Sequence, residues 1–64
     1  MQWTDIEDIA ISLSEAHAEV NPIAVNFVWL RDAVLKLDGF TGERERCGEK
    51  ILEAIQQAWI EELD

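Results

Sequence analysis

Asp5, Asp8, Glu15 and Glu19 are spaced three, seven and four residues apart, which places four carboxylates on one stripe of a helix. A row of carboxylates with no histidine among them suits hard cations such as ferric iron, Mn, Mg or Ca. On an open helix surface, without backbone carbonyls to complete a cage, such ligands hold a cation loosely. Asp5, Asp8, Glu15 and Glu19 are therefore the candidate metal ligands, and no tightly bound cofactor is expected. The other chemistry-bearing residues are single. His17, the lone histidine, lies at the edge of an apolar stripe and reads as a half-buried packing residue. Cys47 has Arg44, Arg46 and Lys50 nearby and precedes a helix start, which is a setting of reactive thiols. It has no second cysteine and no partner histidine, and reads as a loop thiol. There is no Gly-rich phosphate loop, zinc spacing or EF-hand pattern. Nothing holds two carboxylates in distinct environments, as acid–base catalysis requires. An enzyme is not expected.

The elements that position these residues follow from periodicity. "TDIE" has the form of a capping box, with Thr4 as cap and Glu7 reaching back. A first helix is predicted to run to about Ala18, with Ile6, Ile9, Ala10, Leu13, Ala16 and His17 on its apolar stripe. Ile11 points away from that stripe. Asn21 and Pro22 mark a turn, and "VNFV" suggests a short extended segment. A second helix is predicted over 29–37, closed by Gly39 in the usual place of a left-handed cap. "TGERERCG" reads as a loop or wing. A third helix is predicted over 49–63, burying Ile51, Leu52, Ile55, Ala58, Trp59 and Leu63 and turning Glu49 and Glu53 outward. The expected fold is mainly α: one acidic domain over residues 1–64, a small three-helix, winged-helix-like unit with a minor short-strand element.

Charge layout says more than the net charge of −9. Residues 1–30 hold five acids and no Lys or Arg. Residues 31–50 hold five acids and all five basic residues. Residues 51–64 hold four acids and no basic residue. Both ends are purely acidic around a neutral middle. That field repels nucleic acid and anionic membrane, and attracts basic surfaces and cations. It argues against the main alternative, a winged-helix transcriptional domain, because neither candidate recognition helix is basic. The single cysteine excludes an internal disulfide and suits a reducing cytoplasm. No apolar run reaches spanning length, and the start lacks a signal-peptide pattern. A cytoplasmic monomer is expected.

The closing "AWIEELD" is odd for a helix end, because Glu61, Glu62 and Asp64 stand where a helix favours cations. Glu15 and Glu19 are misplaced in the same way. Acids held against their own helix dipole suggest a partner. Glu15, Glu19, Glu49, Glu53, Glu61 and Glu62 are the candidate partner contacts.

"WTDIEDIA", "NPIAVNF" and "EKILEAIQQAWIEE", in this order and at these distances, resemble the IscX (YfhJ) family of bacterial iron–sulfur cluster assembly proteins. The resemblance spans nearly the whole chain, and the block from Glu49 to Trp59 is its most specific part. It implies a winged-helix-like fold, binding to a cysteine desulfurase near the cluster scaffold and other assembly proteins, and weak iron binding through surface acids. It implies a regulator or iron adaptor rather than an enzyme. The chain departs from the family in two places. Val28 and Trp29 stand where relatives carry a helix-capping Thr-Asp, and Thr41, Gly42, Glu43, Arg44, Glu45 and Arg46 replace a run of acids.

Overall fold

In a computed structural model, residues 1–63 are described, and Asp64, one of the tail acids, lies outside them. Three α-helices form: α1 (Ile6–Ala16), α2 (Phe27–Leu35) and α3 (Glu49–Glu62). Two 3-10 turns, Pro22–Ala24 and Arg44–Arg46, interrupt the connections. The α1–α3 pair makes by far the largest helix–helix interface. Its apolar faces follow the three-to-four spacing seen in sequence. Ile9 and Leu13 from α1, Ile55 and Trp59 from α3, and Leu30 and Val34 from α2 are fully buried. Leu63, predicted to be buried, is exposed. No buried side chain is charged. Burial of these apolar side chains is the main favourable term in a chain without a disulfide.

The mainly helical reading stands, but the winged-helix and short-strand elements do not. No strand occurs among the described residues. The "TGERERCG" segment has a 3-10 turn where a β-wing would need paired strands. It is pinned to the N-terminal residues: the Trp3 indole N–H donates to the Glu43 carbonyl at 2.7 Å, and the Thr41 N–H donates to the Met1 carbonyl at 2.7 Å. Trp3 also packs edge-on against Phe40, with ring centroids 4.8 Å apart. Gly42 sits beneath both rings, where a Cβ would lie 2.6 Å from Phe40 and 2.8 Å from Trp3. Only glycine lets the chain pass this close.

Helix boundaries moved for local reasons. The capping box does not form. Asp5, not Thr4, is the N-cap of α1, and its carboxylate accepts from the Gln2 N–H at 2.8 Å. α1 ends at Ala16 rather than Ala18, so Glu19 lies in the following turn. α2 starts at Phe27, two residues before the predicted Trp29, and ends at Leu35 rather than Leu37. Asn26 supplies the cap, its side-chain oxygen accepting from the Trp29 N–H at 2.8 Å. The residues read as extended are thus a cap and a first helical turn. Asn26 supplies the cap two residues before Val28. Gly39 does adopt the left-handed conformation, φ +78°, but only after a further turn beyond Leu35. Asn21 and Pro22 behave as the sequence suggests: Pro22 opens the 3-10 turn and the Asn21 side chain accepts from the Ile23 N–H. Gln56 of α3 ties this turn down by donating to the Pro22 carbonyl at 2.8 Å.

Removing the α2 cap tests this boundary. Asn26→Ala should cost about 1 kcal/mol, lowering the melting temperature by roughly 4–8 °C in a domain of this size. Asn26→Asp should retain most of the stability. Equal melting of wild type and Asn26→Ala would show that the cap contributes nothing.

Candidate partner-docking surface

Every described acid of the two end segments is exposed: Asp5, Glu7, Asp8, Glu15, Glu19, Glu53, Glu61 and Glu62. None of them is ion-paired. Among the described residues the two ion pairs both lie in the middle segment, Arg31–Asp32 at 3.4 Å and Arg46–Glu43 at 3.5 Å. The segregation in sequence is therefore also a segregation in space. Arg31 and Arg46 pair with acids of their own segment, and among the described residues the end acids have no ion-pair partner.

The packing of α1 on α3 brings residues of the first half of α1 beside the end of α3. Glu7, Ala10 and Ile11 of α1 and Ala58, Glu61 and Glu62 of α3 line one hollow of about 250 Å³. Three carboxylates rim an apolar floor there. Glu7 and Ile11 are one turn apart on the same helix face, and Ile11 is 42% exposed. A lysine or arginine fits such a hollow: its aliphatic stem covers Ile11 and the alanines while its charged head stays among the carboxylates. No basic residue stands in the last turn of α1 or α3. The end of α3 nonetheless lies beside the positive end of α1, so part of the penalty on Glu61 and Glu62 is offset by the neighbouring helix. Glu7 and Asp8 occupy that same positive end and repel them.

The other candidate acids are dispersed. Asp5 and Asp8 sit at the start of α1, and Glu15 is in its last turn, about 10 Å further along at 1.5 Å per residue. Glu15 faces Asp38 across a hollow shared with Ser12, Ala16 and Leu37. Glu49 is the first residue of α3, where a carboxylate suits the dipole. It edges a shallow groove with Phe27, Val28, Arg31, Cys47 and Leu52. Glu53 projects from the outer face of α3. Two residues outside the predicted partner set, Glu7 and Ile11, line the same hollow as Glu61 and Glu62. The signal was present, since Ile11 points off the apolar stripe and Glu7 lies four residues before it.

The donor set does not form a resident metal centre. No group of three or more His, Cys, Asp or Glu side chains converges among the described residues. Asp5 and Asp8 stand at the start of α1, Glu15 in its last turn and Glu19 beyond its end. His17 is half-buried and packs edge-on against Trp29 at 5.1 Å, the packing role expected of it. Trp29 in turn stacks on Trp59 at 6.2 Å. Cys47 is a free, half-buried thiol at the end of the Arg44–Arg46 turn.

A family model described as iron–sulphur cluster assembly matches residues 1–64. An uncharacterized protein of Pseudomonas aeruginosa is 55% identical over 64 residues, covering 100% of this chain and 97% of that protein. The chain belongs to this iron–sulphur cluster assembly family, the IscX (YfhJ) family.

Iron titration followed by NMR tests the dispersed-pair geometry. Without a converging third ligand, affinity on the order of micromolar or weaker is expected. Cys47→Ser should leave the titration unchanged. Asp5→Asn with Asp8→Asn, and Glu15→Gln with Glu19→Gln, should each remove one set of shifts and leave the other. Loss of binding in Cys47→Ser alone would mean that the site is elsewhere.

Proposed function

We propose that this member of the iron–sulphur cluster assembly family is a non-enzymatic acidic adaptor. It docks on a basic face of a cysteine desulfurase and carries iron loosely on surface carboxylates. The desulfurase is the partner that likeness to the IscX family implies. The observation that carries the reading is the set of exposed end-segment acids without an ion-pair partner among the described residues. Three of them, Glu7, Glu61 and Glu62, rim one apolar-floored hollow. Exposed carboxylates against a helix dipole do little for the free domain, whereas a basic surface would use each of them.

The surroundings of Cys47 and His17 accord with the adaptor reading. The nucleophile candidate Cys47 has no histidine beside it, and the one histidine is spent on packing against Trp29. A docked acidic protein would act on the desulfurase by occupying its basic surface, and by presenting iron there at a cost in affinity that permits release. Glu15, Glu19, Glu49 and Glu53 extend the charged surface away from the hollow. They would contribute mainly to long-range attraction, because rim charges act on association more than on the lifetime of a complex.

Charge attraction has a defined salt signature. At physiological ionic strength the field decays over about 8 Å, so only close pairs persist. Stopped-flow and calorimetric titration with the desulfurase should show affinity falling at least about tenfold from low to high salt, mostly through slower association. Salt-independent affinity, or no binding at low salt, would contradict the proposal.

A further inference from the structure

One stretch of the surface stands apart from the acids. From Val20 to Leu30 the chain has no charged residue, the longest such run in a sequence that is 30% charged. In the structure only Pro22 and Leu30 of this run are buried. Ile23 is 69% exposed and Val28 61%, the two most exposed large apolar side chains among the described residues. Val20, Val25, Phe27 and Trp29 are half-buried. Val20, Asn21, Ala24, Val25, Asn26 and Trp29 line an uncharged groove of about 330 Å³. Phe27 and Val28 line a second groove, whose other residues include Arg31, Cys47, Glu49 and Leu52. A groove of this size is at the low end of ligand pockets, which span about 300–1,000 Å³, and suits a side chain better than a cofactor.

Its polar groups are specific. The side-chain oxygens of Asn21 and Asn26 are both spent on capping, accepting from the N–H groups of Ile23 and Trp29. Each carboxamide therefore has its NH2 group left to donate, and both residues are exposed at the groove. Two donors beside an apolar floor match backbone carbonyls next to an aliphatic side chain. The first turn of α2 also contains no acid, unlike those of α1 and α3. The face is thus complementary to partial negative charge in an otherwise strongly acidic molecule.

That surrounding charge selects the occupant. A second copy would bring a further −9 against the first, and an anionic bilayer would be repelled in the same way. A basic protein would be attracted by the chain's acidic ends and could close over the uncharged 20–30 segment. We propose that this segment, with the exposed Ile23 and Val28 and the Trp29-lined groove, is a second, apolar contact for the same basic partner, seating one of its aliphatic side chains with the adjacent backbone carbonyls. This inference rests on the desulfurase reading above.

The test compares wild type with the double variant Ile23→Ser/Val28→Thr, both at exposed positions where substitution leaves stability nearly unchanged. Each is titrated with the desulfurase across a salt series, with sedimentation equilibrium of each protein alone. An apolar contact lowers affinity by a factor that salt does not change. The double variant should bind roughly tenfold more weakly at every salt concentration, with the wild-type salt slope retained. Wild-type affinity in the double variant would overturn this inference alone. Concentration-dependent self-association of the wild type, lost in the double variant, would assign the face to a second copy instead. Failure of wild type to bind the desulfurase at any salt would overturn both this inference and the function it rests on.

Discussion

The packing of α1 on α3 is the contact on which the rest of the molecule depends. Trp59 is fully buried, stacks on Trp29 and lies among Ile9, Leu13 and Ile55. Its indole N–H has no hydrogen-bond partner, an uncompensated polar group held in place by the ring's apolar contacts. A chain of 64 residues has little stability in reserve. Spending a buried donor on this position shows how much the interface relies on the size of the ring. The same packing gathers the charge. Glu7 of α1 shares one hollow with Glu61 and Glu62 at the end of α3.

That meeting resolves the odd ending of the chain. At the end of an isolated α3, Glu61 and Glu62 would only oppose the dipole. Beside the start of α1 they are partly compensated by its positive end, and partly penalised by Glu7 and Asp8. The net result is a concentrated negative pole that costs the fold little while leaving the carboxylates unpaired. Opposite requirements are met in the middle segment, where Arg31 and Arg46 pair with adjacent acids and add nothing to the field at the ends.

Much of this was legible in the sequence. The apolar stripes of α1 and α3, the Asn21–Pro22 turn and the division of charge all follow from local spacing. The misreadings have physical causes. "VNFV" combines β-branched and aromatic residues, and such a propensity signal is weak next to a cap. Asn26 caps α2 through one side-chain hydrogen bond, and that decided the conformation. Thr4 fitted a capping box, but Asp5 accepts the Gln2 N–H and takes the capping position. The wing was inferred from Gly-flanked polar residues. What orders that segment is a contact across 40 positions, from Trp3 to the Glu43 carbonyl, which no local pattern encodes. The Glu7–Ile11–Glu61–Glu62 hollow was hidden for the same reason, as it exists only once the helices pair.

The central claim is that the acids at the α1–α3 pole are retained for a partner rather than for the fold. The most direct measurement is the melting temperature of the free Glu61→Gln/Glu62→Gln variant, set beside its affinity for the desulfurase. Neutralising both relieves repulsion from Glu7 and Asp8 and removes charge from the negative end of α3. The account therefore predicts a slightly higher melting temperature together with weaker binding. A variant that melts higher yet binds as tightly as wild type, or that loses stability and affinity together, would contradict it.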